Sequence, residues 1–558
     1  MINIINMLIK HVNTRKTYTL IFALTIFSSQ YIHTKNQTIK TPKLTVVIIA
    51  DQFAYHYIER LSPHFKYGVK ELLDHGICYE NAYHPHGNPE TSPGHNAIST
   101  GTLPKDHGIV SNQWINRNNK HICYASPDQT LVDGLSDQFM LKSTNKNKHH
   151  TISLSLKQRS AIATASKLGS ALWLDNKNGH FKSSRRYFEE LPTWLTKFNK
   201  NQKLKPGQEI IWKTLYPENG PEYEFPQIKN YTYSALGHGL TNTPIKVFQN
   251  QTKPRNNAKN NGKNKYHEDL FFLTPQASQL IFDAAKEYIN HIFEKKNNDN
   301  AILWLCLSNL DLLCHLFGPD SRESIDLVYH LDKQILNFMS FIQKKAQLKD
   351  TLFIFTSDHG IQPIPEITKA KGLPNACRIM ATPLIESINK HIQKKYNLKK
   401  TVKIVKSFSM IYFYLNHELL NAYSKKTQNA IKQDIKKYLL KQPGIRHVWT
   451  KQELAQAHFE PYEKECFYQN QLYQARTGDL IYMPHPYCLI TDYPTGCSHT
   501  TPYDYDTHVP LILYQKGLKH KIIREKVFIP QLPVTLARLL NLARPSASTY
   551  NILPGVTD

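Results

Sequence analysis

Three groups of residues carry side chains whose types and spacing could act together in chemistry. Asp311 and His315 lie four residues apart in Asp311-Leu-Leu-Cys-His315. On a helix that spacing puts a carboxylate and an imidazole on the same side of a turn. Oxygen and nitrogen donors placed in this way suit zinc, although an Asp and a His at this spacing also arise by chance on exposed helices. Asp358 and His359 are adjacent in Ser357-Asp358-His359-Gly360, straight after an apolar run. A turn at Gly360 could present both to one ion, and an ordinary Asx-type turn would use the same residues. The third group is Asn88-Pro-Glu-Thr-Ser-Pro-Gly-His95, with Thr91 near a helix start and Pro93 compatible with its first turn. Free N–H groups and the helix dipole stabilise an anion there. Taken alone, Thr91 reads more simply as a helix cap.

Something must bring these groups together. Four runs, 44–50, 301–307, 352–355 and 509–514, are almost wholly apolar. Such runs are expected for parallel-type strands covered on both faces. Asp51, Asp311 and Asp358 follow the first three, and His499 and His508 both precede the fourth. Ligands in open α/β sheets bind at the carboxyl ends of strands, so one sheet edge would collect all of these side chains. Segments 275–293 and 325–342 have helical apolar spacing. The pattern predicts an α/β fold, with a central, mostly parallel sheet flanked by helices. Two stretches, about 126–266 and 370–492, exceed a minimal α/β unit and read as insertions capping the sheet edge. Alternation over 404–415 and helical spacing over 427–440 predict a small α+β subdomain in the second. The Asn/Lys-rich 249–265 segment reads as a flexible surface loop.

The bulk numbers narrow the class. A chain of 558 residues implies one large domain with insertions, or two domains. With 41% hydrophobic and 20% charged residues it is neither disordered nor multispanning. The formal charge of +25 could attract polyanions. However, Lys and Asn are abundant throughout and no basic block dominates, so no specific nucleic-acid binding is expected. Lys10, Arg15 and Lys16, an apolar run over 18–27, then Ser28 and Ser29 describe a signal peptide over 1–30. No later run has spanning length, so the exported protein, periplasmic or secreted, is expected to carry no transmembrane segment and to act as a monomer. Eight cysteines contain no C-x-x-C pair. Cys306 reads as buried, and Cys488 and Cys497, close in a polar loop, could bridge.

Taken in order, these motifs resemble the nucleotide pyrophosphatase/phosphodiesterase-like branch of the alkaline phosphatase superfamily. Within that branch the sequence looks most similar to the phosphate-irrepressible alkaline phosphatases, which use a threonine nucleophile. The resemblance runs from Val46-Val-Ile-Ile-Ala-Asp51 through Thr91-Ser-Pro-Gly-His95, His107-Gly-Ile-Val-Ser-Asn112-Gln-Trp114, Asp311…His315, Asp358-His359-Gly360 and Ser498-His499-Thr500 to the helical 532–542. It implies an alkaline phosphatase-like catalytic domain over 40–558 and two zinc ions per chain. Asp311, His315 and His499 would hold one; Asp51, Asp358, His359 and the Thr91 oxygen would hold the other. The family ligand usually has Thr or Gly after it, which favours His499, followed by Thr500, over His508, which abuts the strand.

The resemblance also implies a reaction. Thr91 would be the catalytic nucleophile, and a phosphothreonine would form and be hydrolysed in a second in-line step. Leu156-Lys157-Gln158-Arg159 resembles the Lys-x-Arg pair of the phosphomonoesterase members. With Asn112, Lys157 and Arg159 would bind the extra charge of a terminal phosphate. The expected substrates are small-molecule phosphate monoesters, and the alternative is a phosphodiesterase or nucleotide pyrophosphatase on the same fold. A sulfatase is disfavoured because threonine cannot become formylglycine. A binding protein that has lost turnover is disfavoured because every implied ligand is present.

Overall fold

The computed structural model describes residues 39–116, 120–144, 148–224, 239–248, 269–294, 299–345, 348–461 and 463–556. The expected signal peptide over 1–30 and the 249–265 loop lie outside the described residues. A ten-stranded mixed sheet organises the molecule. Its order from edge to edge is Lys521–Ile523, Ile77–Tyr83, His508–Gln515, Leu352–Thr356, Leu44–Ala50, Asn300–Leu307, His149–Ser155, Ser170–Leu174 and Phe181–Lys182, with Val527–Phe528 added beside Ile77–Tyr83. Leu44–Ala50 is central, parallel to both of its neighbours. All seven of its residues are buried. Val46 and Ile48 join the core on one face, with the long helices Pro275–Phe293 and Arg322–Gln343. Val47 and Ile49 join the core on the other face, with Leu532 and Leu536 of helix Gln531–Leu539. This double coverage is why the strand reads as a continuous apolar run.

The expected α/β architecture is present, and two details differ from the sequence expectation. The 509–514 run lies in His508–Gln515, which is antiparallel to Leu352–Thr356 rather than parallel. The reversal brings its N-terminal end, and the residues before it, to the edge where the parallel strands finish. The stretch 126–266, expected as an inserted cap, supplies His149–Ser155, Ser170–Leu174 and Phe181–Lys182 to the main sheet within its described part. Its sequence His149-His-Thr-Ile-Ser-Leu-Ser155 mixes small polar with apolar residues, so it lacks the continuous signature of the central strands. The alternating 404–415 run is two strands, Val405–Ser409 and Tyr412–Leu415, paired antiparallel. Met410 turns between them at φ 55°.

Within 370–492, four strands form a separate sheet, in the order Val405–Ser409, Tyr412–Leu415, Leu480–Pro484, Ile445–Thr450. Helices Ala381–Lys395 and Lys425–Leu439 pack with it through Ile388, Ile392, Ile431 and Ile435. This core also takes in Ile109, Val110 and Trp114, which flank Asn112, and Ala161 and Ile162 of the helix that carries Arg159. Among the described residues no helix is long and apolar enough to cross a membrane.

Candidate metal centre

The carboxyl ends of the parallel strands converge on one edge. Asp51 directly follows the central strand, and its N–H extends the ladder to Leu307 O at 3.0 Å. Asp358 follows Leu352–Thr356 by two residues, and Asp311 lies in helix Asn309–Phe317, which starts just beyond Asn300–Leu307. Two donor sets result, Asp51/Asp358/His359 and Asp311/His315/His499. In each, one donor atom per residue lies within 4.8 Å of the others. The sets adjoin one another: the His359 and His499 rings stack at 3.9 Å.

The histidines are held in one tautomer. His359 Nδ1 donates to Gly360 O at 2.9 Å, His315 Nδ1 to Cys497 O at 3.0 Å, and His499 Nδ1 to Pro89 O at 2.7 Å. A carbonyl can only accept, so each Nδ1 carries the hydrogen. Each Nε2 is then left as the lone-pair nitrogen, the arrangement that metal-binding histidines use. Those nitrogens face carboxylates: His359 Nε2 is 3.4 Å from Asp51 Oδ1 and 3.6 Å from Asp358 Oδ2, and His315 Nε2 is 3.3 Å from Asp311 Oδ1. Among the described residues, Asp51 Oδ1 and His359 Nε2 are buried without a hydrogen bond. Lone pairs facing one another in a dry site are unfavourable unless a cation lies between them. The donor chemistry therefore fits a divalent ion in each set.

The electrostatics agree. Asp51, Asp311 and Asp358 are almost fully buried. Lys157 is bonded into their midst: its Nζ donates to Asp51 Oδ2 at 2.9 Å and to Asp311 Oδ2. Burial, and next the charge of Asp358, push the Asp51 carboxyl up to about 6. Burial also works against ionising Asp311, but Lys157 and His315 outweigh it and hold that group well below the usual carboxylate range. For Lys157 burial is outweighed by Asp311 and Asp51, which keep it charged. His499 is driven well below its ordinary value by burial and then by His359 and His315, leaving it neutral, as a metal ligand must be.

Thr91 is the first residue of helix Thr91–Thr100, and Glu90 is its N-cap. The helix-cap alternative for Thr91 is therefore not what the fold uses, and among the described residues its hydroxyl has no hydrogen-bond partner. The helix start is wedged against the donor sets. A Cβ on Gly94 would lie 2.2 Å from Asp358 O, so only glycine permits this approach. His95 Nδ1 sits 2.9 Å from Thr91 O and 3.0 Å from Asp358 Oδ2. Asn112 Oδ1 accepts from Ser92 N at 2.9 Å and from Ser92 Oγ at 2.6 Å, and its NH2 has no partner among the described residues. Arg159, half-buried, is the second residue of helix Gln158–Ala165 and has no ion-pair partner among the described residues. His508 lies apart: its ring stacks between Tyr55 and Tyr83, and Nε2 donates to Glu80 O at 2.8 Å.

The type I phosphodiesterase/nucleotide pyrophosphatase family matches residues 45–508. The chain belongs to this family. Within the alkaline phosphatase superfamily it falls in the PafA-like branch. It is 25% identical to alkaline phosphatase PhoV of Synechococcus elongatus, over 93% of both chains. To alkaline phosphatase PafA of Elizabethkingia meningoseptica it is 24% identical, over 92% of this chain and 94% of the other. The crystal structure of PafA superposes with a TM-score of 0.77 at 21% identity, covering 94% of this chain and 100% of that one. A PafA variant substituted at one threonine, one asparagine, one lysine and one arginine gives 0.76 at 20% identity, with the same coverage. This family member is thus a metal-dependent, phosphatase-type hydrolase by fold, with two candidate metal sites.

Several residues at the site were not singled out from sequence. Gln52 donates through Nε2 to Asp311 Oδ1 at 2.8 Å and through its backbone N to Asp358 Oδ1 at 3.2 Å, bridging the two donor sets. It does so at φ 70°, and Thr500, directly after His499, sits at φ 96°. Backbone strain of this kind persists where the surroundings over-determine it. Glu90 Oε2 accepts from Ser111 Oγ at 2.7 Å and from Asn112 N at 3.0 Å, fixing the Asn112 loop against the Thr91 helix. From the 370–492 subdomain, Gln471 Nε2 donates to Val110 O at 2.6 Å. Arg476 donates to Gly108 O at 2.7 Å and to Gln129 O at 2.8 Å.

Proposed function

We propose that this chain is an exported alkaline phosphatase that hydrolyses phosphate monoesters through a phosphothreonine at Thr91. The observation that carries the reading is the free Thr91 hydroxyl at a buried helix start beside two pre-set donor sets, with Lys157 and Asn112 at the same edge. Two zinc ions, one on Asp311, His315 and His499 and one on Asp51, Asp358, His359 and the Thr91 oxygen, would supply the Lewis acidity that ionises the nucleophile and eases departure of the leaving group.

The chain's own groups do the rest. The Thr91 hydroxyl gives its proton to solvent, and its oxygen forms a bond to phosphorus as the ester oxygen leaves on the opposite side and takes a proton from water. Water then forms the new P–O bond, the Thr91–phosphorus bond breaks, and the threonine hydroxyl is restored. Two in-line steps give net retention at phosphorus. The free amide of Asn112, Lys157 and Arg159 would hold the equatorial oxygens, where charge concentrates in the transition state. The four residue types substituted in the PafA variant are those of Thr91, Asn112, Lys157 and Arg159, which supports assigning them together. Export is supported by the basic, apolar and small-residue order of 1–30.

The rival substrate class is a diester, since murine ectonucleotide pyrophosphatase/phosphodiesterase 5 shares the fold at a TM-score of 0.51 and 12% identity. Lys157 favours the monoester, because a terminal phosphate presents one more negative oxygen to neutralise. The test is a panel of phosphate monoesters, diesters and sulfate esters on wild type and Thr91→Ala. The reading expects the monoester to be fastest and its turnover to vanish in the variant. Undiminished turnover in Thr91→Ala would sink the nucleophile, and faster diester cleavage would sink the substrate class.

A further inference from the structure

Cys377 and Cys488 face each other where the 370–492 subdomain leaves and rejoins the main body. Cys377 opens strand Cys377–Met380, Cys488 opens strand Cys488–Thr491, and the two residues are direct partners in that parallel pair. Their sulfurs are 3.3 Å apart. The chain between them carries the four-stranded sheet and the helices Ala381–Lys395 and Lys425–Leu439. Gly444, at φ +90°, packs over the pair: a Cβ there would lie 2.5 Å from Cys377 Sγ. Cys497, the partner that sequence spacing offered for Cys488, instead directs its Sγ at Cys314 O, 3.1 Å away.

We propose that Cys377 and Cys488 form a disulfide on exposure to a disulfide donor, closing the neck of the subdomain. Directly opposed residues on neighbouring strands already have the short separation such a bond needs, and the sulfurs need only draw together to about 2.0 Å. The order of events follows from the surroundings. Cys377 is half-buried, and the hydrogen bond from Cys488 lowers its thiol to about 7, with Lys369 assisting against partial burial. Cys488 is buried and held protonated by its neighbour and by desolvation. The Cys377 thiolate therefore attacks first. A bond forms from Cys377 to one donor sulfur, the donor disulfide breaks, and its other half leaves as a thiol carrying the proton that Cys377 lost. Cys488 then gives up its proton and attacks Cys377 Sγ, expelling the second donor thiol. Two protein thiols are oxidised, and one donor disulfide is reduced to two thiols.

The clasp braces the route to the second donor set. Arg378, next to Cys377, is held by Glu366 through two bonds of 2.8 Å and donates to Gly496 O at 2.6 Å and to Tyr493 O at 3.0 Å. That loop runs directly to His499.

The test uses the purified full chain, incubated with oxidised glutathione, alkylated, and digested without reduction. The expected product is a cross-linked peptide pair, lighter by two hydrogens than its two thiol peptides, joining Cys377 to Cys488. Cys488 and Cys497 share a tryptic peptide, so fragmentation must assign the bond. Alkylation of both Cys377 and Cys488 after oxidation, or a bond from Cys377 to Cys497, would overturn the proposal. In a second arm, oxidised wild type should melt above reduced wild type, and Cys377→Ala should abolish the difference. A difference that survives in Cys377→Ala would equally overturn it. Oxidation in vitro does not depend on export, so failure here leaves the reading of residues 1–30 untouched.

Discussion

Lys157 Nζ lies 2.9 Å from Asp51 Oδ2, in a contact that spans the edge of the main sheet. Strand His149–Ser155 is parallel to Asn300–Leu307, which is parallel to the strand ending before Asp51, so the lysine and the aspartate leave the sheet on the same side. That places a permanent positive charge among three buried carboxylates, where a phosphoryl group would also meet it. Lys157→Met should lower kcat/KM for a phosphate monoester on the order of 10²-fold, the usual consequence of removing one charged transition-state contact. Diester turnover should fall far less. Equal losses on both substrates would mean that Lys157 only supports the carboxylates.

Metal removal should be visible in stability as well as activity. Three carboxylates and three imidazole Nε2 atoms converge at one edge of the sheet, so anything that binds the folded form there adds stability by mass action, ~2.7 kcal/mol at a hundredfold excess over Kd. Dialysis against a chelator should lower the melting temperature, and added zinc should restore it. Asp51→Asn and Asp311→Asn should each lower the bound metal toward one ion per chain, measured by elemental analysis. The pH sense is fixed by Asp51: a metal needs its carboxylate ionised, and its carboxyl is pushed up to about 6. Zinc affinity should therefore weaken as pH falls through about 6. An affinity that is flat from pH 8 to 5 would contradict this.

What could be read from sequence depended on whether a residue's role is set locally. Asp51 and Asp358 were legible because each ends a run covered on both faces, and position at a strand's carboxyl end already implies the site. Lys157 was legible only through its place in the order of motifs, because His149–Ser155 lacks a continuous apolar signature. His499 and His508 could not be separated by spacing, since both precede one strand. Three-dimensional packing distinguishes them: one ring stacks on His359, the other between Tyr55 and Tyr83. Gln52 was invisible because its bridging role depends on a left-handed backbone that no local pattern announces. Gln471 and Arg476 act on carbonyls more than 300 positions earlier in the chain, at separations of 361 and 368, beyond any periodicity argument.

Those two residues tie the 370–492 stretch to the segment around Asn112. Gln471 accepts from Asn88 N at 3.2 Å and donates to Val110 O, so it spans the Thr91 motif and the Asn112 loop. Arg476 holds the other end of that loop, and its guanidinium stacks 4.8 Å from the Trp114 ring. Arg476→Ala should lower kcat on the order of tenfold or more by letting Asn112 drift from the position in which the proposed reaction needs it. Arg476→Lys should rescue poorly, because an ammonium lacks the planar fork and the stacking face. Full recovery in the lysine variant would show that only the charge matters.

Acid should unfold the protein through buried neutral histidines. Burial lowers His84 to about 4 and His107 to about 3. Both side chains are fully inaccessible; among the described residues His84 Nδ1 has no hydrogen-bond partner, and His107 Nδ1 accepts from Ile109 N at 3.1 Å. Protonation would therefore put a hydrogen on His84 Nδ1 with nothing to accept it, and one on His107 Nδ1 facing the Ile109 N–H. Since the folded value lies below the unfolded one, near 6.5, the unfolded chain binds more protons in between. The stability from each group is complete above about 6.5 and is lost as pH falls toward the folded value, at ~1.4 kcal/mol per unit for each histidine. Melting temperature measured from pH 8 downward should hold steady to about 6.5 and then drop steeply toward 4. Replacing His107 with Gln, which carries no titrating group, should flatten that drop even if it lowers the plateau. An unchanged slope in His107→Gln would assign the acid sensitivity to other groups.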